Sequence, residues 1–194
     1  MGDLVLSKLS ITDLDLLGKR VLMRVDFNVP LESGQVADDI RLRASLPTIR
    51  HILDEGGHPV LMSHLGRPGG TVVPDLSLQS VAEVLAGLLG REVVLAPDCV
   101  GDEVMDVVKR MPEGAVVLLE NLRFHSDEEE NAPGFSRQLA ELGEVYVNDA
   151  FGTAHRAHAS TEGVTHYMVD CASGFLMQKE LDYLGGALAD PARP

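Results

Sequence analysis

Five short apolar runs punctuate the chain: residues 21–25 (VLMRV), 59–63 (PVLMS), 92–96 (EVVLA), 115–120 (AVVLLE) and 144–149 (EVYVND). Each is β-branched-rich and apolar on both faces, as strands buried in a parallel sheet are. Between them the apolar positions switch to helical spacing. Leu42, Leu46, Ile49 and Leu53 form one stripe, and Leu78, Val81, Ala82, Leu85, Leu88 and Leu89 a wider one. Val104, Val107, Val108 and Met111 form a third, and Phe135, Leu139 and Leu142 a fourth. Such stripes mark helices with one buried face. Pro47 falls inside the first and predicts a kink or a late start. Gly56-Gly57 and Gly90 are placed to end helices.

Strand and helix alternate five times. This predicts an α/β fold, a three-layer α/β/α Rossmann-like domain with a mainly parallel sheet and right-handed crossovers. A further stripe, Met177, Leu181, Leu184 and Leu188, adds a C-terminal helix. The segment after it, GGALADPARP, has the composition of a linker. A linker there leads us to expect a longer protein.

Composition narrows the partners. The 194 residues carry 30 acids against 16 bases, a net charge of −14. Nucleic acid and anionic membrane both require a basic surface, so neither is an expected partner. A small anion remains open, because a local cluster can invert the field. Of the bases 12 are Arg and only 4 Lys, and Arg is the better fork for carboxylate and phosphate. Genome composition is nevertheless the favoured explanation of that ratio. Cys99 and Cys171 form no C-x-x-C and read as free thiols in a reducing compartment. No apolar run approaches the ~20 residues of a membrane span. The start, MGDLVLSKLS, is too polar for a signal peptide, and Gly2 lacks the context for lipidation. A cytoplasmic protein is expected.

All strands of a parallel sheet point one way, so residues following each strand meet along one edge, where ligands bind. After the first run come Asp26, Phe27 and Asn28, then a loop to Arg41 at a helix start. After the second come His64 and Arg67, and after the fourth Asn121, Arg123 and His125. After the fifth come Asn148, Asp149 and then His155, Arg156 and His158. The third is followed by Ala96, Pro97 and Asp98, with no base. Gathering cations within ~6 Å costs roughly 3 kcal/mol per pair at an effective dielectric near 20. A chain with few cations has reason to do so when an anion joins them. Each charge-assisted hydrogen bond to phosphate returns about 1.5–3 kcal/mol. A polyanionic small molecule such as a phosphorylated acid is the favoured ligand. In the alternative, the arginines pair with Asp26, Glu120 and Asp149 and only tie loops together.

Other chemistry is weak. There is no G-x-x-x-x-G-K-[ST], no G-x-G-x-x-G after the first strand and no G-x-S-x-G. The pair His155 and His158 lacks an acidic third ligand nearby in sequence, so no metal is expected. The acidic run 126–131 (SDEEEN) reads as a solvated loop without calcium-loop spacing.

The blocks RVDFNVP (24–30), DDIRLRASLPTI (38–49), SHLGRP (63–68), LLENLRF (118–124), VNDAFGTAHRAHAS (147–160) and GFLMQKEL (174–181) together resemble the phosphoglycerate kinase family. They occur in order, at family spacing, over nearly the whole chain. The resemblance implies reversible phosphoryl transfer between 1,3-bisphosphoglycerate and ADP, giving 3-phosphoglycerate and ATP with Mg²⁺. Family members are roughly twice this size, with two α/β domains. The resemblance is to the N-terminal, 3-phosphoglycerate-binding domain, placed at 1–173, followed by an interdomain helix and linker at 174–194. The nucleotide domain, which would bind Mg-ATP or Mg-ADP, is then missing; no cofactor and no metal is expected in this chain, and none of its turnover when alone. By similarity, Asp26 and Asn28 hydrogen-bond the hydroxyl and carboxyl region of the substrate. His64, Arg67, Arg123 and Arg156 grip the phosphate that is not transferred, and Arg41 stabilises the migrating group as the catalytic residue. The segment 178–181 falls where the family hinges. The expected partners are this substrate and the missing C-terminal domain, in a monomer.

Two other classes stay open on sequence. One is a non-catalytic module of the same fold that binds an anion or a protein. The other is a dinucleotide-binding domain, disfavoured by the missing glycine fingerprint.

Overall fold

The computed structural model describes residues 9–153 and 156–189. The expectations resting on Gly2, His155, residues 190–194 and the side chains of Leu184 and Leu188 lie outside the described residues. In chain order the elements are β1 (Arg20–Arg24), β2 (Leu31–Glu32), β3 (Gln35–Val36), α1 (Ile40–Asp54), β4 (His58–Met62), α2 (Gln79–Leu89) and β5 (Val93–Leu95). They continue with α3 (Asp102–Lys109), β6 (Val116–Leu118), α4 (Ser126–Glu129), α5 (Pro133–Ala140), β7 (Val145–Asn148), β8 (Asp170–Ser173) and α6 (Phe175–Ala189).

Six strands form one sheet in the order β5-β6-β4-β1-β7-β8, every neighbouring pair parallel. The period of two sorts each strand between two cores. Val21 and Met23 face one core with Leu42, Ile49 and Ile52 of α1 and Val81 and Leu85 of α2. Leu22 faces the other with Val104 and Val108 of α3 and Phe135 and Leu139 of α5. Apolar surface on both faces of β1 is thus covered, giving the three layers read from the pattern.

Several local expectations meet different outcomes. The α1 helix starts at Ile40 and runs through Pro47 as one helix. Pro47 lies on the exposed side, where water can reach the carbonyl left without its N–H partner. Gly56 and Gly90 do end helices, both at positive φ. The hairpin of β2 and β3 and the sixth parallel strand β8 were not foreseen. Strand β8 (DCAS) lies at the sheet edge and carries small, half-polar residues, so it lacks the apolar signature of a central strand. The α6 backbone continues past Gly185-Gly186 to Ala189, into the stretch read as linker. Extending a formed helix avoids the nucleation cost, so two glycines do not stop it. Among the described residues, no helix is long and apolar enough to cross a membrane. Both cysteines are free thiols.

Asp149, at the end of β7, accepts hydrogen bonds from the Leu176 and Met177 amides at 2.9 and 3.2 Å. It thereby caps α6, where a negative charge meets the positive end of the helix dipole. Phe175 N–H donates to Thr48 Oγ1 of α1 at 3.1 Å. A β-carbon at Gly174 would overlap the Asp149 carboxylate. Gly174→Ala is therefore expected to cost about 1–3 kcal/mol, read as a lower urea midpoint. A midpoint equal to that of the unaltered protein would show that α6 tolerates displacement from its cap.

Candidate functional site

Strands β6, β4, β1 and β7 are consecutive and parallel in the sheet, so their carboxyl ends lie along one rim. Backbone and side-chain bonds then lock the loops in register. Val25 N–H donates to Met62 O at 3.1 Å, and Phe27 N–H to Ser63 Oγ at 2.9 Å. Gly66 N–H donates to Asn28 Oδ1 at 2.8 Å, so Asn28 also holds the loop that carries Arg67. Asn121 is fully buried. Its Oδ1 accepts from the amides of Leu65 and Arg123, and its Nδ2 donates to the carbonyls of Leu65 and Leu76. That side chain ties the loop after β4 to the loop after β6.

At the rim lies a cavity of about 260 Å³. It is lined by Asp26, Asn28, Arg41, His64, Arg67, Arg123 and Arg156 together with Gly66, Gly152 and Thr153. All seven residues to which the resemblance gave a substrate role line it. Four guanidiniums face one carboxylate, an inversion of the protein's overall −14. Arg123 is buried; its Nη1 donates to Gly66 O at 2.9 Å and its Nε lies 3.2 Å from Glu129 Oε1. Burial lowers its pKa most; Glu129 opposes that, and Arg156 and Arg67 add to it. Arg41 pairs with Asp26 through Nη1 and Oδ2. Of the loop-tying pairs considered above, this one forms. Glu120 instead accepts from Ser77 Oγ and the Leu78 amide, and Asp149 caps α6.

His64 was grouped with the cation-capable side chains, and the structure makes it neutral. It is buried beside Arg24, and its pKa is pushed down to about 2, by burial first and then by Arg24, Arg123 and Arg156. Arg24 Nη2 lies 3.1 Å from His64 Nδ1. A guanidinium can only donate, so Nδ1 accepts and the ring proton sits on Nε2. His64 therefore offers the cavity a neutral N–H donor. The linkage has a definite sign. Below its ordinary value near 6.5, the unfolded chain binds a proton that folded His64 refuses. Its stabilising effect is whole above that pH and is lost as pH falls, by about 1.4 kcal/mol per unit. His64→Gln should therefore flatten urea-derived stability between pH 6.5 and 5 by roughly 2 kcal/mol relative to the unaltered chain. An unchanged slope would mean that His64 titrates alike in both states.

Other predicted residues fall elsewhere. His125 pairs with Asp98, not with the cavity. His158 is largely buried, with Nδ1 3.9 Å from Glu128 Oε1; burial lowers its pKa, against the pull of Glu128.

The acidic run 126–131 is not simply a solvated loop: it opens with the helical turn α4, and Glu128 is buried. Its carboxylate accepts from Ser160 N–H at 3.0 Å and Ser160 Oγ–H at 2.6 Å. Ser160 Oγ in turn accepts from Arg24 Nε at 2.8 Å. Arg24, also buried, bonds to Val25 O as well. Sequence reasoning missed both members of this chain. An arginine inside the apolar run VLMRV was the one available signal for Arg24; nothing distinguished Glu128 from its acidic neighbours.

Fold and cavity together define an open α/β domain with an arginine-lined cavity at the carboxyl edge of a parallel sheet, where such folds bind ligands. The chain belongs to the phosphoglycerate kinase family. That family, described as Phosphoglycerate kinase, matches residues 11–194. A phosphoglycerate kinase of Chloroherpeton thalassium is 58% identical over 189 residues, covering 97% of this chain and 48% of that protein. One of Moorella thermoacetica is 61% identical over the same number of residues, with the same coverage. The solved structure of phosphoglycerate kinase from Coxiella burnetii aligns with TM-score 0.84 at 36% identity, over 96% of this chain and 46% of that one. That from Pyrococcus horikoshii OT3 aligns with TM-score 0.84 at 32% identity, over 96% and 47%. The chain spans about half the length of the relatives it matches.

Proposed function

We propose that this chain is the substrate-holding half of a phosphoglycerate kinase and binds 3-phosphoglycerate, or 1,3-bisphosphoglycerate, in the rim cavity. The convergence of Arg41, Arg67, Arg123, Arg156 and His64 opposite Asp26 and Asn28 carries this reading. The cavity, at about 260 Å³, falls just below the ~300–1,000 Å³ of sites that enclose larger ligands. It suits a three-carbon acid better than a nucleotide. Arg67, Arg123 and Arg156, with the Nε2–H of His64, grip the phosphate that stays on the substrate. Asp26 and Asn28 orient the hydroxyl and carboxyl end. Arg41, half-exposed at the start of α1, swings from Asp26 to the transferring group. Phosphoryl transfer depends on positioning and charge stabilisation more than on covalent help, and these side chains supply both.

Residues 1–173 form the binding domain, and 174–194 form a helix and linker to a nucleotide domain. That domain would hold Mg-ATP or Mg-ADP, and the magnesium nucleotide would supply or accept the phosphoryl group. Closure about α6 would bring the halves together and exclude water. The full protein is a cytoplasmic monomer on this reading, and this chain alone turns nothing over.

Calorimetric titration with 3-phosphoglycerate at low salt should give one site, weakened by added salt. Assays with 3-phosphoglycerate and Mg-ATP should give no product. Absence of binding by well-folded protein sinks the assignment, and turnover by the chain alone removes the need for a second domain.

A further inference from the structure

We propose that Asp98, Cys99 and His125 form a binding site for a borderline-soft divalent transition metal, zinc in type. The site is separate from the anion cavity and shares none of its lining residues.

The topology brings the three together. Asp98 and Cys99 follow β5, and His125 follows the 3-10 turn Leu122–Phe124 after β6. Since β5 and β6 are parallel neighbours, both loops leave the sheet at the same edge. His125 Nε2 lies 2.7 Å from Asp98 Oδ1, and Cys99 Sγ lies 3.5 Å from the same oxygen. The three donor atoms all fall within 4.8 Å of one another. With Zn–S near ~2.3 Å and Zn–N and Zn–O near ~2.0–2.2 Å, tetrahedral donors lie roughly 3.3–3.8 Å apart. Small side-chain shifts reach that geometry.

A thiolate, an imidazole and a carboxylate are the donors of zinc and cobalt, and they discriminate against magnesium and calcium. Three protein ligands leave a fourth position for water. Asp98 and His125 keep 45% and 30% of their side-chain surface exposed, which gives a metal access, while Cys99 is buried and floors the site. The supporting shell is present: the Cys99 amide donates to Asp98 Oδ1 at 2.7 Å, and the His125 ring packs on Phe135 with centroids 5.3 Å apart. On binding, the Cys99 thiol gives its proton to the solvent and Sγ bonds the metal. In the free site His125 Nε2–H donates to Asp98 Oδ1; on binding that proton passes to the solvent, Nδ1 carries the ring proton and the freed Nε2 lone pair bonds the ion. The metal then clips the loop after β5 to the turn that carries Arg123.

Titration of the metal-free chain with Co²⁺ tests this. One equivalent should produce a near-ultraviolet thiolate-to-cobalt band with visible tetrahedral bands, discharged by Zn²⁺ and untouched by excess Mg²⁺. Cys99→Ala should abolish the charge-transfer band, and His125→Gln should weaken binding at least tenfold. Cys171→Ser, which removes the other thiol, should change nothing. Circular dichroism checks that each variant is folded; His125→Gln, at a half-exposed position, serves if Cys99→Ala is not. Zinc should also raise the melting temperature of the parent chain and not that of His125→Gln. No thiolate band, or a band that follows Cys171, overturns the site. Either result leaves the anion cavity as it stands.

Discussion

Arg123→Met is expected to weaken 3-phosphoglycerate binding by at least about 30-fold, since truncating a buried, hydrogen-bonded charge at a binding surface costs roughly 2–5 kcal/mol. Arg123 combines two properties that favour anion binding. Its side chain is only 6% exposed, and Gly66 O holds its guanidinium in a fixed direction at 2.9 Å. Little freedom is lost when an anion arrives, so its donors are preorganised. Its electrostatic setting adds to this. Arg156 and Arg67 both disfavour its charged form, and a phosphate among the three relieves that repulsion. Arg123→Lys keeps the charge but not the planar fork, and should recover only part of the loss. Titration calorimetry of both variants, with circular dichroism as the folding check, decides the matter. Equal affinity in Arg123→Met and the parent chain would place the bound anion elsewhere.

Glu128→Gln should destabilise the fold by about 3 kcal/mol or more, because it leaves the buried Arg24 without its counter-charge. Burial lowers the Arg24 pKa, and Glu128 is the strongest influence against that. The two are joined through Ser160 Oγ, which accepts from Arg24 and donates to Glu128. Glutamine preserves shape, so no cavity opens; it removes the charge and one of the two oxygens that accept from Ser160. For a chain of this length the midpoint of thermal unfolding should fall by roughly 10 °C. The double variant Glu128→Gln with Arg24→Met should recover part of the stability, since an apolar replacement of both charges can be neutral or stabilising. Without that recovery, Glu128 matters through its bonds to Ser160 and not through Arg24. The network also reaches the site, because Arg24 holds the Nδ1 of His64.

The arginine-lined cavity is built from loops at one sheet edge together with Arg41 at the start of α1. Its rigidity rests on Asn121, Ser63 and Asn28, which stitch neighbouring loops. Asp149 connects the same rim to α6 by capping the helix from the end of β7.

Much of this was legible in the residues themselves. Period two and period 3.6 are local consequences of backbone geometry, so five strands and five helices could be placed from spacing alone. A parallel sheet then obliges strand ends to share an edge, which is why Asp26, His64, Arg67, Arg123 and Arg156 could be grouped across 130 positions. What spacing cannot carry is the environment of a charge. Only the packed structure buried Arg24 and Glu128, turned His64 into a neutral donor and drew Asp149 away from the arginines to a helix terminus. Strand β8 likewise needed its partner β7, for its few small residues form a strand only when a neighbour supplies the hydrogen bonds. Periodicity is a property of the chain, whereas desolvation and partner choice depend on which distant atoms arrive; the first could be read in one dimension, and the second required three.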